Sequence, residues 1–306
     1  MVAQQKRPCV SVLMPVYRTD RSFLQAAIAS VLEQTFADLE LLLLDDCPDN
    51  PREDIVRKFD DPRIVYVRNE RNLGISESRN KLLDMARGEF AAVLDHDDVS
   101  RPDRLARQVA YLREHPEVGV VGAWTREVPR NRIVRHPVED ADIRVSLMGS
   151  CAMAHTAAML RLSVIREHGI RYQAAFSPAE DMCLFLDLLG VTKFHNIPEP
   201  LVDYRFHADN TTKRQKAQMD DAAVRVRAYA KRLHPETWAD FRARAVETTR
   251  VRLLGVIPFL RIERRGNVGV VKLFDCLPIA KFKVSFKMKR PDATTSIGLR
   301  GVGGGK

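Results

Sequence analysis

Cysteine is scarce in this sequence, and no cysteine is placed where a metal site or a disulfide framework would need it. The five cysteines, Cys9, Cys47, Cys151, Cys183 and Cys276, stand singly, without a Cys-x-x-Cys pair. We therefore expect reduced thiols, as in a cytoplasmic protein.

Long apolar runs are also missing. No window reaches the roughly 18 consecutive apolar residues of a membrane-spanning helix, and the stretch from Met1 to Pro8 has no apolar core typical of a secretion signal. Hydrophobic residues make up 45% and charged residues 29%, which indicates a globular rather than a disordered chain. The 306 residues suffice for one large α/β domain with an appendage, or for two small domains.

The net charge of +9 is concentrated in the tail. Residues 242–306 contain 15 Lys and Arg against 4 Asp and Glu, a local +11, so the first 241 residues hold 34 against 36, or −2. A basic tail suits nucleic acid or an anionic membrane surface. Because the body has no basic platform interleaved with aromatic residues, we expect no nucleic acid partner.

Apolar runs alternate with helically spaced segments over the first 98 residues. The runs are 10–15, 39–44, 64–67 and 90–94, and the helical segments between them are 23–32, 55–59 and 76–85. This order predicts an α/β fold with a mainly parallel twisted sheet flanked by helices. Ligands bind beyond the carboxyl ends of such strands. Pro15–Tyr17, Asp45–Asp46 and Asp95–Asp98 are therefore expected to converge on one crevice.

The last of these segments, Asp95-His96-Asp97-Asp98, follows an apolar run directly. Its three carboxylates repel one another, and a divalent cation such as Mn²⁺ or Mg²⁺ would relieve that repulsion. Since Mg²⁺ is commonly held by one or two carboxylates together with substrate phosphates, we expect a nucleotide diphosphate to supply the other ligands of this ion. A solvated acidic turn is the alternative.

Five blocks in this region resemble, in order and spacing, the family 2 glycosyltransferases. The blocks are Ser11–Tyr17, Ser30–Phe36, Glu40–Asp46, Asn72–Ser76 with Arg79 and Asn80, and Ala86–Phe90 continuing into Leu94–Asp98. The resemblance implies the nucleotide-diphospho-sugar transferase (GT-A) fold. It also implies transfer of a sugar from a nucleotide-sugar donor to a hydroxyl of a growing cell-surface glycan or glycolipid, such as a lipopolysaccharide or capsule intermediate.

The resemblance assigns donor contacts to five residues of this sequence. Pro15, Tyr17 and Asp46 would hold the nucleotide, Arg79 would approach the diphosphate or the acidic cluster, and Asp95 would contact the ribose. Other readings stay open: Tyr17 could merely end the strand, Asp46 could cap a turn, and Arg79 could form a surface salt bridge.

The resemblance also implies a set of metal ligands. Asp97 is the expected direct ligand, with Asp95 and Asp98 beside it, and His207 in Leu201–His207 could reach the same ion. An ordinary surface histidine is the alternative for His207.

The pair Glu180-Asp181 resembles the family's catalytic acids at the start of a helix. Asp181 would be the general base that deprotonates the acceptor hydroxyl, and Glu180 would lie on the acceptor side. A single base with in-line attack implies inversion of configuration. The alternative is that two acids simply favour a helix N-terminus.

We divide the chain by expected role. Residues 1–210 form the catalytic domain, with a nucleotide-binding half (1–122) and an acceptor-binding half (123–210); 211–260 form a helical extension with helices at 213–232 and 235–254. Residues 261–306 form a basic tail whose glycine-rich end we expect to be disordered.

In the tail, Lys281 and Lys283 alternate with Phe282 and Val284, which predicts a strand with one basic and one apolar face. Such a face suits anionic headgroups, so we expect a cytoplasmic protein peripheral to the inner face of the cell membrane. A subunit-pairing strand or a solvated basic tail is the alternative.

Two rival functions share this fold. A nucleotidyltransferase would want a glycine-rich loop after the first strand, whereas Tyr17-Arg18-Thr19-Asp20 has no glycine. A catalytically idle partner of a polysaccharide assembly complex is the other rival, and the presence of Asp97 and Asp181 argues against it.

Overall fold

The computed structural model describes residues 7–207, 210 and 215–244, and the strands 246–253, 257–265, 268–273 and 277–283. The chain separates into two compact units, Met1–Phe241 and Arg242–Lys306. The functional boundaries at 122, 210 and 260 stay predictions.

The first half of the large sheet is parallel, as predicted. Strand β1 (Val10–Val16) pairs with β2 (Leu39–Asp45) on one side and with β4 (Phe90–Val93) on the other, and β3 (Ile64–Arg68) continues beyond β2. Every residue of β1, β2 and β4 is buried. Strands covered on both faces have near-continuous apolar sequences, and for this reason these runs were recognisable without alternation.

The second half of the sheet is mixed. Strand β8 (Met159–Arg161) runs antiparallel between β4 and β6 (Val118–Val128), and β9 (Lys193–Arg205) lies parallel to β6. Two short antiparallel strands, β5 (Val99–Ser100) and β7 (Arg132–Val134), pair with β9 and β6. Among the nine strands of this sheet in the described residues, six share a direction and three oppose it, so the sheet is mainly parallel.

Nine α-helices are found in the described residues, and all but the final three residues of the last helix belong to the first unit. They are α1 (Arg21–Leu32), α2 (Glu53–Val56), α3 (Ile75–Met85), α4 (Arg104–Glu114), α5 (Asp140–Leu147), α6 (Leu162–Glu167), α7 (Glu180–Leu189), α8 (Lys216–Leu233) and α9 (Pro235–Arg244). One apolar core includes α1 and α4 and a second includes α3, α5 and α7. In the part of the chain described, no helix combines the length and the apolar character needed to cross a bilayer.

The expected helix over residues 235–254 is wrong in its second half. Helix α9 ends at Arg244, and β10 (Val246–Leu253) follows as a strand. Residues 246–251 include two valines and two threonines, whose branched side chains favour strands. Strand β10 begins an antiparallel sheet with β11 (Ile257–Arg265), β12 (Val268–Leu273) and β13 (Leu277–Lys283). The expected disorder of the glycine-rich end falls outside the described residues.

Gly88 allows β4 to begin against β1, and its replacement by alanine is expected to destabilise the first unit. A Cβ at this position would lie 2.8 Å from the Phe90 carbonyl oxygen and 2.8 Å from the Ser11 nitrogen. Backbone atoms at such distances must shift, so we expect Gly88→Ala to lower the free energy of unfolding by about 1–3 kcal/mol. Urea denaturation measures this loss.

Gly190→Ala is the matched control, because its Cβ would meet only the Asp187 carbonyl oxygen, at 3.9 Å. Equal stability of the two variants would show that Gly88 is not required for the approach of β4 to β1.

Candidate active site

Asp46 follows β2 and holds the loop that leads into α3. One of its oxygens accepts from Asn69 Nδ2 and the Leu73 N–H, both at 2.8 Å; the other accepts from Asn72 Nδ2 and the Gly74 N–H, both at 2.9 Å. Four bonds match the acceptor capacity of a carboxylate. Asp46 therefore positions this loop, and its contact with a nucleotide stays a prediction.

Tyr17 and Pro15 lie at the carboxyl end of β1 in different environments. Pro15 is buried and pairs with Leu44 of β2. Tyr17 is 44% exposed, with the Arg18 guanidinium 5.3 Å from its ring centre. The Tyr17 ring is thus open to a stacking ligand, whereas Pro15 could offer a ligand little beyond its carbonyl group. Both nucleotide assignments stay predictions.

Arg79, on α3, joins the two acidic segments. Its Nη1 donates to Glu180 Oε1 at 2.5 Å and its Nη2 to Asp95 Oδ1 at 3.2 Å, while its guanidinium lies 5.5 Å from the Tyr172 ring centre. Burial alone would lower the pKa of Arg79, but Asp95 and Glu180 outweigh it and raise the pKa. Arg79 and its salt bridge to Glu180 are buried, and its salt bridge to Asp95 is half-buried, so the surface alternative is wrong.

The acidic loop after β4 is held from both sides. The Asp95 N–H donates to Thr156 Oγ1 at 3.1 Å, and Asp97 Oδ2 lies 3.0 Å from His207 Nε2. Asp98 is fully buried; one oxygen accepts from the Arg205 N–H at 2.9 Å, and the other has no hydrogen-bond partner among the described residues. Burial, then Asp97 and Asp95, raise the pKa of Asp98 well above its usual range. Burial and the two neighbouring acids therefore disfavour a third negative charge in this loop, a penalty that a bound cation would offset.

Helix α7 presents the second pair of acids at its first turn, as predicted. Glu180 is buried against Arg79, and Asp181 accepts a hydrogen bond from the Met182 N–H at 2.8 Å. Burial and the neighbouring Glu180 raise the pKa of Asp181 to about 6, against the opposing effect of Arg79. A helix N-terminus by itself favours the ionised form, so the raised pKa indicates a carboxylate poised to accept a proton near neutral pH.

The ends of β4 and β9 and the helices α3 and α7 thus bring together a carboxylate with a raised pKa (Asp181), a buried arginine (Arg79) and a cluster of carboxyl groups beside an imidazole. A family model described as glycosyl transferase family 2 matches residues 11–169, just over half of the chain. The chain belongs to glycosyl transferase family 2.

Curated relatives of this family 2 glycosyltransferase include archaeal and bacterial proteins. It is 28% identical over 228 residues to an uncharacterized glycosyltransferase of Methanocaldococcus jannaschii, covering 71% of this chain and 78% of that protein. It is 31% identical over 182 residues to the Escherichia coli UDP-Glc:alpha-D-GlcNAc-diphosphoundecaprenol beta-1,3-glucosyltransferase WfgD, covering 59% of this chain and 69% of that protein.

Solved structures confirm the GT-A fold of the glycosyltransferase. S. aureus TarS in complex with UDP-GlcNAc has a TM-score of 0.60 and 18% identity, over 76% of this chain and 71% of that chain. The mannosyltransferase PcManGT of Pyrobaculum calidifontis, in complex with GDP-Man and Mn²⁺, has a TM-score of 0.57 and 19% identity, over 78% of this chain and 75% of that chain.

The acidic loop of this glycosyltransferase offers the kinds of ligand atom that divalent cations prefer. Within the described residues, no group of three or more His, Cys, Asp or Glu side chains is gathered into a ready metal site. Asp97 Oδ2 and His207 Nε2 lie 3.0 Å apart, close to the spacing of two adjacent ligands around an octahedral ion with bonds of about 2.1 Å. Asp98 adds a buried oxygen without a partner. Two protein ligands suffice where substrate phosphates complete the shell.

Sequence inspection missed two groups that support the acids. Arg104 is fully buried; its Nη2 donates to the Val93 and Ala158 carbonyl oxygens, at 2.7 and 3.2 Å. Burial lowers the pKa of Arg104 to about 9, with Asp98 and Asp95 opposing the shift. Tyr172, packed near Arg79, shares a 2.8 Å hydrogen bond with His155. Neither residue adjoins a motif, so only the three-dimensional contacts reveal them.

Proposed function

We propose that this glycosyltransferase is metal-dependent and inverting. It moves a sugar from a nucleotide-diphosphate donor to a hydroxyl of a growing cell-surface glycan, on a lipid-linked or lipopolysaccharide acceptor at the inner face of the membrane. The observation that carries the proposal is the bridge from Asp95 through the buried Arg79 to Glu180, because it connects the donor-side loop to the helix that bears Asp181.

Asp181 acts as the general base of this reaction. Its carboxylate accepts the proton of the acceptor hydroxyl while that oxygen bonds to the anomeric carbon. The bond from the anomeric carbon to the diphosphate oxygen breaks, and the nucleoside diphosphate leaves with the electron pair. Attack opposite the leaving group inverts the anomeric configuration. A pKa near 6 leaves Asp181 mainly ionised at neutral pH, as this role requires.

The leaving diphosphate is the other centre of charge. Asp97 and His207 would hold the divalent cation, with Asp95 and Asp98 beside them; when bound, that ion neutralises negative charge on the diphosphate. Arg79 supplies a fixed positive charge in the same region, kept in place by two carboxylates. Tyr17 and Asp46 would hold the nucleotide.

The names of a relative and of two structural neighbours support the proposed classes of acceptor and donor. The name of the E. coli relative gives a diphosphoundecaprenol-linked sugar as its acceptor and UDP-Glc as its donor, and the two structural neighbours were solved with UDP-GlcNAc and GDP-Man. We therefore propose a lipid-linked glycan as the acceptor and a UDP- or GDP-sugar as the donor. The rival function is a catalytically idle partner of a polysaccharide assembly complex.

A donor panel separates the enzyme from the idle partner. UDP-, GDP-, CMP- and dTDP-sugars are titrated with and without Mn²⁺, and binding and slow donor hydrolysis are followed by calorimetry and by release of the nucleotide. We expect one nucleotide class to bind in a Mn²⁺-dependent manner, and Asp97→Ala to lose that dependence. Failure of every donor to bind in the presence of Mn²⁺ would overturn the proposal in favour of the idle partner.

A further inference from the structure

The sheet of the second unit has two faces of different composition. Strand pairing aligns residues 246–251, 260–265 and 268–273 and the paired positions of β13 into six rows. In one row Arg250 pairs with Arg261, and Arg261 with Lys272. Because successive residues of a strand belong to opposite faces, alternate rows share a face.

One face is basic and the other is apolar. The three rows that include the Arg250 row contain six cations and one acid: Arg250, Arg261, Arg265, Lys272, Lys281, Lys283 and Glu263. The other three rows contain Arg264 and Glu247 among mainly apolar residues, such as Val251, Leu260, Ile262, Val271, Leu273, Leu277 and Phe282. Within the six paired rows, one face therefore carries a net charge of +5 (six cations, one acid) and the other carries none (Arg264 against Glu247).

We propose that this basic face binds the surface of an anionic phospholipid bilayer. The register places Arg250, Arg261 and Lys272 at directly opposed positions on three neighbouring strands, and like charges at such positions favour an anionic partner. A bilayer surface presents many phosphate groups in one plane and attracts clustered Lys and Arg.

Nucleic acid is the other polyanion that a basic face could meet. Proteins that hold single strands place aromatic residues among the cations for base stacking. The three rows of the basic face contain no aromatic residue, so their composition favours lipid. This proposal needs neither the sugar donor nor the metal, and it can fail while the proposed transferase activity stands.

Sedimentation with vesicles tests the proposal on the full chain. Phosphatidylcholine vesicles are compared with vesicles that also contain phosphatidylglycerol, in low and in high salt. We expect binding only to the anionic vesicles, weakened by salt. Each Lys or Arg near such a surface strengthens binding about 5-fold, so the triple variant Arg250→Gln, Arg261→Gln, Lys272→Gln is expected to bind about 100-fold more weakly.

The matched control changes the net charge equally on the first unit. Arg57→Gln, Arg107→Gln and Arg225→Gln remove three exposed guanidinium groups and are expected to leave vesicle binding unchanged. Circular dichroism confirms that both triple variants are folded. No binding to anionic vesicles, or equal binding of the two triple variants, would overturn the proposal. A third result would overturn it in favour of nucleic acid: no vesicle binding, together with oligonucleotide binding that is lost in the Arg250, Arg261 and Lys272 triple variant but kept in the control.

Discussion

Asp181→Asn is expected to reduce kcat for sugar transfer by about 10²–10⁴-fold, the range for loss of a general base. The amide is nearly isosteric and can still accept the hydrogen bond from the Met182 N–H, but it cannot take the acceptor proton. Donor binding is expected to change little, because the carboxylates of the 95–98 loop are untouched. Steady-state transfer and donor calorimetry on the same preparation give both values.

The pH profile gives Asp181 a second signature. A carboxyl group with a pKa near 6 is ionised, and able to act as a base, above that pH and is protonated below it. We therefore expect kcat/KM of the wild type to fall about tenfold per pH unit below about pH 6, and the residual activity of Asp181→Asn to lack this limb.

The same raised pKa means that burial disfavours the ionised carboxylate at neutral pH. Asp181→Asn should therefore unfold at a temperature no lower than the wild type. The control is Asp187→Asn on the same helix. In the wild type the Asp187 carboxylate accepts hydrogen bonds from Gln173 and Tyr229, and the variant should keep full transfer activity. Full activity of Asp181→Asn would remove the base from the proposed mechanism.

The elements that carry the motifs could be predicted because their sequence signals are local. Strands β1, β2 and β4 are mainly apolar and buried along their whole length, and helix α7 begins at Glu180 as expected. Parallel strand order then sufficed to place Asp46 and the 95–98 loop at one edge of the sheet. The contact of Arg79 with Glu180, which links the 95–98 loop to helix α7, did not follow from the sequence.

The supports of the site depend on contacts between distant residues. Thr156 lies 61 positions from Asp95, whose N–H it accepts, and Glu180 lies 101 positions from Arg79. Arg104 reads as a charged residue of an amphipathic helix, yet it is fully buried and donates to two carbonyl groups. Charged side chains usually lie at the surface, and no local sequence pattern indicates which of them are buried.

Asp97→Asn is expected to remove the Mn²⁺ dependence and to lower kcat/KM by at least about 100-fold, because charge neutralisation by a bound metal contributes several kcal/mol. The amide keeps the shape of Asp97 beside His207 Nε2 but loses its negative charge. Electron paramagnetic resonance of Mn²⁺, titrated with the nucleoside diphosphate present, measures metal binding directly and does not depend on turnover.

His207→Gln tests whether the imidazole shares the ion. If His207 is a ligand, this variant should need at least about 10–100-fold more Mn²⁺ for half-saturation, since loss of even an outer-shell partner of a metal ligand costs that much. Asp103→Asn, an exposed acid near the same loop, should bind Mn²⁺ as the wild type does. If Asp97→Asn binds Mn²⁺ as tightly as the wild type, Asp97 is not a ligand, and Asp98, which has an oxygen without a hydrogen-bond partner among the described residues, becomes the candidate. Loss in Asp97→Asn with none in His207→Gln would instead reduce the role of His207 to positioning Asp97 through their 3.0 Å contact.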